Sequence, residues 1–202
     1  MRALGLLLAL ALPLAARADE PPPEAWELDA FAGYGRLLWP TMDTTGQTSS
    51  SGGPGFSLTV AYRGPHFTHP FLDIAYVPIL SSSRDVTLPG TGGPGTTSSA
   101  SNLSWAWGFL VGPGWDVRWF RLRAGVGVYD VMARTTVADQ TNTGSQLSVG
   151  FLAAASALVW RSEPFAVGIE ARLVALQSPT SGIYQTSWQI GVTGRWDFVY
   201  RP

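Results

Sequence analysis

The chain has 202 residues, of which 13% are charged, against roughly 25% in ordinary soluble domains. It has nine Trp and 23 Gly, no Cys, only Arg as its basic residue, and a net charge of −1. Disulfides, cysteine zinc sites, thiol nucleophiles and lipid-modified cysteines are therefore excluded, and nucleic acid is offered no basic footprint.

In chain order, Met1-Arg2 is followed by an apolar run from Ala3 to Ala16 and then Ala16-Arg17-Ala18. A basic start, a short greasy core and a small-x-small site predict a secretory signal peptide over residues 1–18. The run is shorter than the ~20 apolar residues a spanning helix needs. Residues 19–25 are expected to be a disordered lead-in, with one domain over 26–202.

From Trp26 onward apolar residues recur at every second position, the strand period. The first run is Trp26, Leu28, Ala30, Ala32 and Tyr34. The second is Phe56 to Tyr62, and the third is Leu72 to Leu80 with Pro78 as its flaw. The fourth is Leu103 to Val111, the fifth Phe120 to Val128, the sixth Leu147 to Val159. The seventh is Phe165 to Leu173 and the eighth Trp188 to Tyr200. None of these positions carries a charge. The opposite face carries Gly, Ser and Thr, five Arg (63, 121, 123, 172, 195) and five acids (27, 29, 73, 170, 197).

The connections alternate in length. Long ones fall at about 40–54 and 81–102 and medium ones near 136–145 and 177–185, all on one rim. Short ones fall at 64–70, 112–118 and 161–164 on the other. Eight strands with this alternation predict an all-β, antiparallel, up-and-down transmembrane barrel with long extracellular loops and short periplasmic turns.

Alternation alone leaves open which face meets solvent. Volume decides it, because the interior of an eight-stranded barrel is only wide enough for side chains or one small ligand. The bulky apolar set does not fit there, whereas the small set does. Energy agrees. An Arg facing lipid at midplane costs roughly 2–4 kcal/mol, so five would consume much of the roughly 5–15 kcal/mol net stability of a domain. Turned inward, they can pair with the five acids. Aromatic residues gather toward strand ends, as interfacial belts require: Trp26, Tyr62, Phe165, Trp196 and Phe198 near the turns, and Tyr34, Phe56, Tyr76 and Trp105 near the loops.

On these residues, and on the alternating aromatic ending Trp196-Asp197-Phe198-Val199-Tyr200, the chain resembles the small eight-stranded outer-membrane barrels, the OmpA-transmembrane and OmpX-like family. The final Arg201-Pro202 departs from the family's usual aromatic terminus. The resemblance implies the outer membrane of a Gram-negative bacterium. It implies outer-membrane lipid and lipopolysaccharide as surroundings, the barrel-assembly machinery as a partner during insertion, a monomer, no cofactor and no nucleic-acid partner.

The candidate site is a charge network in the bore. Glu27, Asp29, Arg63, Asp73, Arg121, Arg123, Arg195 and Asp197 are expected in its turn-side half, with Glu170 and Arg172 near the middle. Buried ions must pair and hydrogen-bond, or their desolvation goes uncompensated. Its expected role is structural, a salt-bridged plug, with a narrow gated pore as the alternative. Gly33, Gly35, Gly108, Gly127 and Gly150 are expected to leave room for a small uncharged ligand above it. His66 and His69 read as residues of a solvated turn, with no metal site and no catalytic residue. Some relatives that the resemblance brings in act on lipids through a His near the outer rim, and these two lie at the opposite rim. The leading function is a non-enzymatic structural or surface-interaction barrel, followed by a narrow channel or small-ligand carrier, then a lipid-modifying enzyme. Asn102-Leu103-Ser104 matches a glycosylation pattern at chance level.

Overall fold

The structure, a computed structural model, describes residues 24–37, 41–42, 48–49, 52–64, 68–88, 96–117, 119–137, 140–177 and 184–199. The expected signal peptide, most of the expected lead-in, His66 and the last three residues lie outside that set. The strands are β1 (Ala25–Leu37), β2 (Thr41–Met42), β3 (Thr48–Ser49), β4 (Gly52–Arg63), β5 (Thr68–Leu88), β6 (Thr96–Val117), β7 (Phe120–Val137), β8 (Gln140–Ser162), β9 (Phe165–Gln177) and β10 (Tyr184–Val199). Eight of them close a barrel in the order β1-β10-β9-β8-β7-β6-β5-β4, and β2 and β3 form a small separate pair inside the first long connection. Each barrel strand pairs antiparallel with its neighbours. The first strand begins at Ala25, inside the expected lead-in.

Apolar residues face out and charges face in. Along β7, Phe120 and Leu122 are 51% and 41% exposed, whereas Arg121 and Arg123 are 2% and 4% exposed. The outer surface carries Val126, Phe151, Ile169, Ile190 and Val192, all exposed. Such a surface is stable only against hydrocarbon, and a closed barrel leaves no unpaired backbone edge within the bilayer. Two aromatic belts bound it. On the turn side, Trp26 lies 5.1 Å from Tyr62, and Trp196 lies 5.6 Å from Phe165 and 4.2 Å from Phe198. On the loop side, Tyr76 lies 6.3 Å from Phe56 and 5.1 Å from Trp107. Ten residues of a strand tilted by about 40° rise roughly 25 Å, the height of the apolar band of such barrels.

The connections are shorter than the sequence pattern indicates. The ladder between β5 and β6 runs to Leu88↔Thr96, and that between β7 and β8 to Val137↔Gln140. The stretches expected as loops at 81–102 and 136–145 are therefore largely strand. Above the membrane both sheet faces meet water, so apolar alternation disappears while ladder hydrogen bonds and β-branched Val and Thr persist. Pro78 sits at a register shift between Pro78 and Leu80, a bulge that tolerates the missing N–H.

Candidate functional site

The ten charged residues singled out in the sequence lie in one connected network inside the turn-side half of the bore. Arg63 Nη1 lies 3.1 Å from Glu27 Oε1, and Arg63 Nη2 lies 3.4 Å from Asp197 Oδ2. Arg121 bridges Glu27 Oε2 at 2.5 Å and Asp29 Oδ2 at 3.0 Å. Asp29 also accepts from Arg195 Nε at 3.1 Å and Arg123 Nη1 at 3.5 Å. Arg123 Nη2 reaches Glu170 Oε2 at 2.5 Å. Glu170 in turn accepts from Arg172 Nε, and Arg172 Nη1 donates to Asp73 Oδ2 at 3.3 Å. Thr59 Oγ1 completes this level, donating to Asp73 Oδ1 at 2.5 Å and accepting from Arg123 Nη1 at 2.8 Å. Charge-assisted and multiply bonded contacts of this kind offset the desolvation of buried ions, although Arg172 Nη2 and Asp197 Oδ1 are buried without a hydrogen-bond partner among the described residues.

Two members escaped the sequence reading. Asp116, on β6, lies 2.5 Å from Arg121 Nε and 3.9 Å from Arg195 Nη1. The Gly112-Pro113-Gly114 stretch was expected to be a turn, yet β6 runs through it to Val117. Extending the inward parity of Gly108 and Leu110 by three more positions would have found Asp116. His69 is the other. It was expected in a solvated turn but is 1% exposed, with Nε2 3.5 Å from Asp116 Oδ1. Strand β5 starts at Thr68, so His69 takes inward parity and joins the bore. Among the described residues, no three metal-ligating side chains come together.

The loop-side half of the bore contradicts the expectation of ligand space. It is packed with inward apolar side chains: Val77, Leu110, Tyr129, Leu152, Val174 and Leu176, all buried in one cluster. The glycines are covered rather than open. A Cβ on Gly150 would meet the Tyr129 ring at 2.5 Å, and one on Gly108 would meet it closer still. A Cβ on Gly33 would meet Phe31 Cζ at 2.6 Å, and one on Gly35 would meet Gln189 Cγ at 2.7 Å. Gly127 backs onto the Phe109 carbonyl. Gly191, Gly33 and Gly55 share one rung across β10, β1 and β4, and this wall of missing side chains admits the rings and the Gln189 amide. Two aromatic rings lie against cations of the network. The Arg172 guanidinium carbon lies 4.2 Å from the Phe31 ring centre, and that of Arg123 lies 5.9 Å from the Phe71 centre, in range of a cation–π contact.

Outside the bore, β5 to β8 rise past their neighbours as a four-stranded wall. Pairing between β8 and β9 begins only at Gly150↔Leu176. Residues Gln140 to Leu147 of β8 are therefore laddered to β7 on one side, with no strand on the other among the described residues. All eight are exposed.

No family model matches the chain, and no curated protein matches it. Solved structures do. A crystal structure of Ail, the attachment invasion locus protein of Yersinia pestis, in complex with the heparin analogue sucrose octasulfate, aligns at TM-score 0.54 and 13% identity over 87% of this chain and 100% of that one. A second crystal structure of Ail aligns at TM-score 0.53 and 12% identity over 86% and 99%. The outer membrane protein OprG of Pseudomonas aeruginosa aligns at TM-score 0.48 and 13% identity over 90% and 100%. The closed eight-stranded ring and the lipid-facing band between two aromatic belts give the chain the fold of the small eight-stranded outer-membrane β-barrels, the fold it shares with Ail.

Proposed function

We propose that the protein is a non-enzymatic surface-interaction barrel, in which the membrane-spanning part is a rigid mount and the β5–β8 wall is the working surface. One observation carries this reading: among the described residues, no strand pairs with the outer edge of β8 from Gln140 to Leu147. An unpaired edge is a template for another strand, and natural sheets usually blunt it with Lys, Pro or other charges. The sequence Gln140-Thr141-Asn142-Thr143-Gly144-Ser145-Gln146-Leu147 contains none of these. The wall's other edge, β5 beyond Tyr76, has no partner in β4 among the described residues but carries Pro78. The two edges thus differ in protection, and the unprotected one suits an extended segment of an extracellular protein, added by main-chain hydrogen bonds. Ail, the attachment invasion locus protein of Yersinia pestis, shares this fold.

The ionic network serves this mount as a structural plug, and His69, turned into the bore beside Asp116, is not placed for chemistry on outer-leaflet lipid. The signal peptide over 1–18, a monomeric state, lipopolysaccharide around the band and insertion by the barrel-assembly machinery belong to the same reading. The test is binding of cells displaying the full mature chain to extracellular-matrix and serum proteins. Thr143→Lys/Ser145→Lys charges the free edge and is expected to abolish binding while surface display is unchanged. Equal binding by the variant and the unaltered protein refutes edge capture.

A further inference from the structure

The bore has two storeys of opposite chemistry, and this bears on permeability independently of what the wall binds. The turn-side storey is made of ions that water can follow wherever a pair is broken. The loop-side storey is mainly apolar: Val77, Leu110, Tyr129 and Val174 are each 0–1% exposed and Leu152 and Leu176 are 3–4% exposed, and its buried polar groups, the Tyr129 hydroxyl, Ser148, Ser187 and the Gln189 amide, are all uncharged. Along β9 the change is abrupt, from Glu170 and Arg172 to Val174 and Leu176 at successive inward positions. Along β5 it runs from Asp73 through Ala75 to Val77 and Ile79. This layer is on the order of 10 Å deep, taking about three inward positions per tilted strand. The Tyr129 ring, seated against Gly108 and Gly150, closes its β6–β8 side.

We propose that this apolar storey, and not the salt-bridge network beneath it, is the barrier to ions in the bore. An apolar constriction stops ions by excluding the water that must accompany them. Breaking the network alone therefore leaves the barrel closed, and conduction needs the upper layer to be thinned or made polar as well.

The experiment is single-channel recording in KCl across planar bilayers, using the full mature chain refolded in detergent and checked for barrel closure by heat-modifiable gel mobility. Unaltered protein and Arg123→Ala are expected to give no unitary steps. Arg123→Ala/Leu110→Ala/Tyr129→Ala is expected to give steps above the bare-bilayer baseline. A volume-matched polar set, Arg123→Ala/Leu110→Asn/Leu152→Asn, is expected to do the same and stands in if the cavity-forming variant does not close. Steps from Arg123→Ala alone overturn the proposal, because the network would then be the barrier. Silence from a folded variant of either combined type also overturns it.

Discussion

Asp29 is the hub at which the plug is tested most sharply. Three guanidinium groups converge on it, Arg121 at 3.0 Å, Arg195 at 3.1 Å and Arg123 at 3.5 Å. Asp29→Asn keeps the volume and one acceptor oxygen but removes the negative charge. Arg121 retains Glu27 and Asp116, and Arg123 retains Glu170. Among the described residues Arg195 keeps only the 3.9 Å approach to Asp116, so about one buried cation loses its compensation. Removing one partner of a buried ion pair costs about 3–5 kcal/mol, and the retained amide oxygen places this change near 3 kcal/mol. Arg195→Gln in the Asp29→Asn background removes that stranded charge, so the double variant should be no less stable than Asp29→Asn alone, giving a coupling energy of about 2 kcal/mol or more. Equilibrium urea unfolding in detergent micelles, followed by Trp fluorescence and gel mobility, measures Asp29→Asn, Arg195→Gln and the double variant. A loss below about 1 kcal/mol for Asp29→Asn, or strict additivity of the two changes, refutes the picture of a dry, mutually compensated network.

Further outcomes follow from the packing. Gly108→Ala places a methyl against the Tyr129 ring and should destabilise by about 1–3 kcal/mol as an overpacked site; Tyr129→Leu in the same chain should recover part of that in the same unfolding assay. Trp196→Ala deletes the contacts with Phe165 and Phe198 and should cost about 1–3 kcal/mol, at roughly 0.5–1.5 kcal/mol per aromatic pair, with a lower midpoint in lipid as well as in detergent. Intact-mass measurement of protein from the outer-membrane fraction should give a mature chain beginning at Asp19; a chain still carrying residues 1–18 would refute the cleavage.

How much of this was visible in the sequence depends on the solvent each segment meets. Within the bilayer, hydrocarbon demands an uninterrupted apolar row, so Phe120, Leu122, Val126 and Val128 declared both the strand and its outward face. The charges opposite them, Arg121 and Arg123, were legible for the same reason. The upper bore was not legible, because there both faces are apolar: Val174 and Leu176 point inward beside outward Leu173, and period two cannot separate such rows. Tyr129 likewise went unassigned. Above the membrane both faces meet water, so Thr135 to Val137 and Gln140 to Thr143 show no alternation although they are paired. His69 and Asp116 were hidden behind Gly and Pro, which punctuate turns in most chains but here lie within or beside strands that continue.

The first and last strands of the barrel meet along β1 and β10, and Asp29 and Arg195 face each other across that seam, 166 residues apart in the chain. A sheet inserted hairpin by hairpin but still unzipped there would leave both ions without each other inside a lipid environment. Closing the seam and quenching these charges is consequently a single event. The ion pair at this seam, far apart in sequence, therefore exists only in the closed ring.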